Sequence, residues 1–396
     1  AIEVAKKLGV SLLILHPTPQ EGAGSFTLDT SARPSSLSHL SGQAMPDDIA
    51  LVLHTSGTTS RPKIVPLTQK NVCASAQNIA ASTRFTAADR GLNVMPLFHI
   101  HGLIAGILAP LSQGGEVHCT SGFNALKFFS QMDDVKPTWY TAVPTMHQAI
   151  LSRATQNKEV IQRVPLRFIR SSSSSLPPQV LAELEATFHA PVIEAYGMTE
   201  AAHQMACNPL PPGQRKPGTV GIAAGPEVAI MNAEGQMMGV GESGEIVIRG
   251  PNVTPGYENN EKANAEAFTH GWFRTGDQGV IDAEGYISIT GRLKEIINRG
   301  GEKISPREID EILMDHPAVG QVVCFGMPHE KLGEEVGAAV VLREGQSATE
   351  KELRDHVASR VADFKVPRKI LLLDEIPKGA TGKLQRIGMA QKLGLA

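Results

Sequence analysis

From Lys70 to Gly197 the apolar positions alternate between helical spacing and short continuous runs. Helical spacing predicts helices over Asn71 to Thr83, Gly102 to Leu111, Ala125 to Val135, Thr145 to Ala154 and Pro178 to Phe188. Short runs predict strands over Gly91 to Met95, Glu116 to Cys119, Thr138 to Ala142, Leu166 to Arg170 and Pro191 to Ala195. This alternation implies crossover units: an α/β domain whose sheets are mainly parallel, with ligands gathering at strand C-termini. Ahead of it, Ile49 to Leu53 reads as a buried strand. After Gly218 the pattern becomes short strands between glycine turns, as in GEIVIRG at Gly244 to Gly250, which predicts a β-rich subdomain over about 218–290. The segment Ile289 to Pro306 then separates this region from a smaller α+β domain running to the end.

Composition bounds the function. With 396 residues, 41% hydrophobic and 19% charged, the chain is long enough for a large core and two or three domains. A formal net charge of -3 argues against general nucleic-acid binding, so any polyanion must be met locally by Lys, Arg or a metal. Cys73, Cys119, Cys207 and Cys324 lie far apart, with neither a C-x-x-C pair nor a dense framework, which fits a reducing setting. The longest apolar stretch, Met95 to Leu111, contains His99, His101 and two prolines and falls short of a membrane span. With no secretory signal and no peroxisomal address in Gly394-Leu395-Ala396, the expected compartment is the cytoplasm, and the expected state a monomer or homodimer.

HTSGTTSRPKIV, His54 to Val65, suits a cradle for nucleotide phosphates. Thr55, Ser56, Thr58, Thr59 and Ser60 supply hydroxyls, Gly57 permits close backbone approach, and Arg61 with Lys63 adds positive charge. It lacks the G-x-x-x-x-G-K-[ST] pattern, so a different nucleotide chemistry is implied. GVGESG at Gly239 to Gly244 formally matches G-x-G-x-x-G, but a strand follows it rather than a helix, so it is no dinucleotide site.

Three further segments follow in order: YGMTE at Tyr196 to Glu200, WFRTGDQG at Trp272 to Gly279, and PKGATGKLQR at Pro377 to Arg386. Together with the hydroxyl-rich loop they resemble the adenylate-forming enzymes, which include acyl- and aryl-CoA ligases, peptide-synthetase adenylation domains and firefly luciferase. The resemblance spans nearly the whole chain. It implies a large domain over 1–291, a hinge at 292–294 and a small mobile α+β C-terminal domain over 295–396. Because the phosphate loop comes so early, an N-terminal part of the large domain is expected to be missing.

What the resemblance implies chemically can be laid on residues. Transfer of a carboxylate to the α-phosphate of ATP makes AMP the leaving group. Two anions must meet, which requires Mg²⁺ and a mobile cation. Glu200 is the expected Mg²⁺ ligand and Thr199 the expected α-phosphate contact. Tyr196 offers a face to adenine and Gly197 permits close approach, while Asp277 is suited to the ribose hydroxyls with Arg292 at the same sugar. Lys383 is the expected mobile cation, with Lys378 supporting its loop. Lys294 marks the pivot, and Gly300, Gly301 and Lys303 are expected on the coenzyme A side once the small domain has rotated.

The acid is addressed by polarity. His203 follows Glu200 by three residues, His99 and His101 stand in PLFHIHG, and Arg170 leads into the serines Ser171 to Ser175. A fatty or aromatic acid needs an apolar wall, whereas a small dicarboxylate needs donors. RSSSSSL, EAYGMTEAAHQMACNPLPPG and NRGGEKISP also resemble the oxalate-CoA ligase branch of this family. The expected reaction is ATP, oxalate and CoA giving oxalyl-CoA, AMP and pyrophosphate, with His99, Ser173 and His203 in the acid pocket. The competing expectations are an aryl- or medium-chain acyl-CoA ligase, a luciferase-like oxygenase, a carrier-protein loader and a noncatalytic adenylate-binding fragment.

Overall fold

The computed structural model describes residues 2–22, 24–29, 42–55, 62–378 and 384–396. The chain divides into two compact units, residues 1–45 and 46–396. In the first, helix α1 (Ile2–Leu8) precedes an antiparallel pair, β1 (Ile14–Pro17) and β2 (Phe26–Asp29).

The second unit opens with the antiparallel pair β3 (Ile49–His54) and β4 (Ile64–Thr68). The run Ile49 to Leu53 is a strand but not the buried one its apolar text suggests, since Ile49 is 51% and Val52 46% exposed. Side chains alternate along a strand, so Leu51 and Leu53 turn to the core while Ala50 and Val52 are left outside a two-stranded sheet, and Ile49 lies beyond a register shift at the strand's start. Thr68 then caps α2 (Gln69–Thr83) in a capping box: the Asn71 N–H donates to Thr68 Oγ1 at 3.1 Å and the Thr68 N–H to Asn71 Oδ1 at 2.9 Å.

The central sheet has seven strands: β5 (Arg90–Asn93), β6 (Glu116–Cys119), β7 (Trp139–Ala142), β8 (Phe168–Ser172), β9 (Val192–Met198), β10 (His203–Cys207) and β11 (Ile222–Ala223). Their spatial order is β11-β10-β9-β8-β7-β5-β6, parallel from β6 through β9 and antiparallel at β10 and β11. Every residue of β7 and β8 is buried, as befits central parallel strands covered on both faces. The connections carry α3 (Ala109–Leu111), α4 (Phe128–Val135), α5 (Pro144–Ala154), α6 (Lys158–Arg163) and α7 (Pro178–Phe188). The helix expected over Gly102 to Leu111 begins one residue earlier and runs as a π-helix from His101 to Leu108 before tightening into α3.

A second sheet contains β12 (Glu227–Met231), β13 (Gly244–Arg249), β14 (Phe268–Thr269), β15 (Trp272–Ile281) and β16 (Ile287–Arg292), with α8 (Glu261–Ala267) beside it. Strand β13 starts at the last glycine of GVGESG, so that motif opens no helix. The smaller sheet follows, from β17 (Ile297–Arg299), β18 (Glu302–Ile304), β19 (Val319–His329), β20 (Gly333–Leu342) and β21 (Lys369–Leu372), with α9 (Pro306–Met314), α10 (Glu350–Ala358) and α11 (Met389–Lys392). Strand β21 pairs parallel to β20, while the other pairings are antiparallel. The α/β class holds: a large, mainly parallel domain with a β-rich subdomain and a small α+β domain. The small domain meets the large one through Gln148 Nε2, which donates to the Gly320 carbonyl at 2.9 Å, and through Arg343 and Glu183 at 3.8 Å.

Candidate active site

The C-terminal end of β9 gathers the expected side chains. Tyr196 lies inside this strand, which continues to Met198, and not just past its end. Its hydroxyl donates to Asp277 Oδ2 at 2.5 Å, and Arg292 Nε donates to Asp277 Oδ1 at 2.9 Å. The β15–β16 ladder sets Asp277 opposite Arg292, so strand register delivers this pair. Burial and the neighbouring Asp277 carboxylate raise the Tyr196 phenol well above its ordinary value, leaving it a neutral donor. Tyr196, Asp277 and Arg292, three residues chosen for one nucleoside, are therefore one hydrogen-bonded group.

Gly197 faces His203, and a Cβ there would overlap the His203 carbonyl oxygen and lie 2.9 Å from His203 Nδ1. A side chain at 197 would push β10 off β9. Beyond it, Thr199 and Glu200 form a single 3-10 turn, closed when the Ala202 N–H donates to the Thr199 carbonyl at 3.0 Å. Glu200 is buried, its Oε1 accepts from the Tyr257 hydroxyl at 2.8 Å, and its carbonyl accepts from the Thr254 N–H at 2.7 Å. Lys63 Nζ stands 4.2 Å from the centre of the Tyr257 ring. Tyr257 thereby links the cation of the hydroxyl-rich loop to the expected metal ligand, a role that nothing in its local sequence signals.

The ends of that loop are tied. The Thr55 N–H donates to the Lys63 carbonyl at 2.9 Å and the Lys63 N–H to Thr55 Oγ1 at 3.1 Å. Ser56, Gly57, Thr58 and Thr59 lie outside the described residues, as does Lys383. Lys378 and Leu384, which flank Lys383, form an antiparallel bridge.

A polar cluster stands behind Gly197. His101 Nδ1 is 3.0 Å from Ser173 Oγ, and His101 Nε2 is 2.6 Å from Thr141 Oγ1. The His101 and His203 rings stack, with centroids 4.9 Å apart and planes 17° apart. Arg170, fully buried on β8, reaches His101, His203 and Gln204. Of the residues expected in the acid pocket, Ser173 and His203 join this cluster through His101 and Arg170. His99 is partly buried two residues upstream, where its Nδ1 accepts from the His101 N–H at 3.2 Å. Ser173 and His203 both have positive φ, 76° and 106°. For residues with a Cβ this costs on the order of 1–3 kcal/mol each and is characteristic of functional sites.

Gly300 and Gly301 turn β17 into β18 with φ of 60° and 100°, and Lys303 is exposed on β18 opposite Asn298. Among the described residues this hairpin is tied to the Leu332 loop, where the Gly300 N–H donates to the Leu332 carbonyl at 2.8 Å. Lys294 is exposed in the link between β16 and β17. Nearby, Arg386 pairs with Glu295 at 3.1 Å and Asp310 at 2.5 Å, fastening the segment after Lys383 to the residue after Lys294.

A mainly parallel sheet with an aromatic-acid-cation triad and a buried carboxylate at its strand ends defines a nucleotide-handling α/β enzyme. The chain belongs to the AMP-binding enzyme family: residues 4–258 match the AMP-binding enzyme model, and residues 308–383 match its C-terminal domain. An oxalate–CoA ligase of Arabidopsis thaliana is 52% identical over 349 residues, 87% of this chain and 68% of that protein. The oxalate–CoA ligase of Saccharomyces cerevisiae is 48% identical over 353 residues, 88% of this chain and 64% of that one. Among solved structures, ATP-bound MatB from Rhodopseudomonas palustris superposes with a TM-score of 0.81 at 31% identity, covering 89% of this chain and 68% of that one. The chain thus spans about two thirds of the length of these proteins.

Proposed function

We propose that this protein is an ATP-dependent acid–CoA ligase that activates oxalate to oxalyl-CoA, releasing AMP and pyrophosphate. The observation that carries the acid assignment is the cluster of His101, Ser173, His203 and Arg170 beside Gly197. It offers donors where an apolar acid would need an apolar wall. Its relatives above include two named for oxalate.

In this reading Thr55, Lys63 and the hydroxyls of Ser56, Thr58 and Thr59 hold the phosphates, with Gly57 leaving room. Tyr196 lines the adenine side, with Asp277 and Arg292 at the ribose; ATP binding redirects an Asp277 oxygen from a protein donor to a sugar hydroxyl. Glu200 suits Mg²⁺ because a single buried carboxylate with one protein donor, supplemented by phosphate oxygens, is what that ion takes. Among the described residues no group of three or more His, Cys, Asp or Glu competes as a metal cage. When bound, Mg²⁺ neutralises charge developing on the phosphates. Thr199 hydrogen-bonds the α-phosphate, and Lys383 supplies the mobile charge where carboxylate oxygen and α-phosphorus meet. The small domain then turns about Lys294, bringing Gly300, Gly301 and Lys303 toward coenzyme A.

Among the described residues no helix is long and apolar enough to cross a membrane. A cytoplasmic setting is proposed from the four free cysteines. His203→Ala tests the pocket: the KM for oxalate is expected to rise about tenfold or more, a loss of about 1.4 kcal/mol, while the KM for ATP stays within about twofold. Equal effects on both would make His203 structural and remove the pocket assignment.

A further inference from the structure

Arg170 has no exposed surface, yet among the described residues no carboxylate is paired with it, and its Nε has no hydrogen-bond partner. Buried charges are normally compensated, because an isolated one is costly. Burial pushes this guanidinium down to about 10, so it remains a cation at neutral pH. Among the described residues no countercharge stands beside it, at the place where the proposed reading puts an anionic acid.

The fork of Arg170 also dictates protonation. One terminal nitrogen is 3.3 Å from His101 Nε2, and the other is 3.1 Å from His203 Nε2 and from Gln204 Oε1. A guanidinium carries five N–H donors and no acceptor. Each Nε2 that it meets must therefore present a lone pair, which leaves the ring proton on Nδ1. For His101 this orders the contacts with Thr141 and Ser173. In that tautomer the one Nε2 lone pair is shared, with the Thr141 hydroxyl as the near donor at 2.6 Å and the guanidinium N–H as the longer one at 3.3 Å, and Nδ1–H donates to Ser173 Oγ at 3.0 Å. Ser173 then receives a bond from behind and keeps its own O–H for a ligand. For His203 the protonated Nδ1 sits over Gly197, on the strand edge that leads to Thr199 and Glu200.

We propose that Arg170 is a positioning residue that fixes His101 and His203 as neutral Nδ1–H tautomers, so that Ser173 O–H and His203 Nδ1–H donate to the distal carboxylate of a small dicarboxylate. The assignment rests on the acid–CoA ligase reading. Among the described residues, three other ionisable groups lie against this assembly: His99, whose Nδ1 accepts from the His101 backbone N–H, and two that stay uncharged. Cys207 of β10 is held protonated, pushed up to about 11 by burial against the opposing pull of Arg170. His147 of α5, which packs on the backbone of Arg170 and Ala142, is pushed down to about 3 by burial and stays neutral. With Arg170 in place, neither stacked ring gains a proton on Nε2 without facing a cation donor. Without it that constraint is lifted, and both rings can exchange their proton between Nδ1 and Nε2.

The test is ¹⁵N spectroscopy of the full chain labelled at histidine, with His101 and His203 assigned from their single Gln variants. Both rings are expected to show an unprotonated Nε2 and a protonated Nδ1, unchanged from about pH 6 to 8. An Nε2–H tautomer or an imidazolium at either ring in this range overturns the proposal. In Arg170→Met the fixed Nδ1–H pattern is expected to give way to a mixture of tautomers, and kcat/KM for oxalate in pyrophosphate exchange to fall at least about tenfold with the KM for ATP unchanged. Arg170→Lys, which keeps the charge but loses the fork, is expected to fall between. Should Arg170→Met fail to fold, the unsubstituted protein's spectrum still decides the tautomers. The spectrum needs no turnover, so correct tautomers without oxalate activity would sink the substrate reading alone, whereas oxalate activity with the wrong tautomers would sink the positioning role alone.

Discussion

Replacing Tyr257 by Phe removes one hydroxyl and leaves the ring. That hydroxyl donates to Glu200 Oε1 at 2.8 Å, in a setting where burial and the Glu200 carboxylate both raise the phenol's pKa and keep it a donor. A hydrogen bond to a charged group contributes about 1.5–3 kcal/mol, roughly 10- to 150-fold in rate or affinity. The phenyl ring still lies under Lys63, 4.2 Å from the ring centre in Tyr257, so the cation–π contact is retained. The loss should therefore fall on Glu200 and on what it holds. The assay is oxalate-dependent pyrophosphate exchange with Mg²⁺ and acid varied separately. The half-saturating Mg²⁺ concentration is expected to rise about tenfold or more, with the KM for oxalate within about twofold. An equal rise for the acid, or no change for Mg²⁺, would refute the link from Tyr257 through Glu200 to the metal.

Two further outcomes follow from the geometry. Glu194, buried on β9 with Leu176 N–H donating to its Oε1 at 3.0 Å, is raised by desolvation to about 7 from 4.5, so the folded protein binds this proton more tightly than the unfolded chain. Its contribution is favourable at low pH and is lost as pH rises from about 4.5 to 7, by about 3 kcal/mol at most, and Glu194→Gln should flatten that part of the urea-unfolding profile. A parallel profile for the variant would refute the assignment. Lys294→Pro removes no backbone hydrogen bond seen among the described residues, so the fold should stand. Thioester formation should slow while adenylation continues, and unchanged rates for both would end the hinge assignment.

The legible part of the site was the part carried by contiguous motifs. Tyr196, Gly197, Thr199 and Glu200 fall in five consecutive residues, and Asp277 pairs with Arg292 because one hairpin ladder aligns them. Contacts made across long separations left no local trace. Tyr257 reaches Glu200 over 57 positions from a loop of glycine and proline, and the fork of Arg170 meets Gln204 over 34. The two histidines of PLFHIHG were indistinguishable in text. The π-helix starting at His101 separates them, with Gly102 packed so tightly that a Cβ would overlap the Pro96 carbonyl oxygen. Five apolar residues from Ile49 signalled burial, but burial depends on what covers a strand's second face, which no local pattern records.

The most direct test of the central claim is AMP release from a panel of acids, with and without coenzyme A. Oxalate is expected to support AMP release that coenzyme A accelerates, and cinnamate- or fatty-type acids to support little. Turnover with those acids and none with oxalate would keep the adenylating site at Glu200 and Asp277 but contradict the polar acid pocket built on Ser173 and His203.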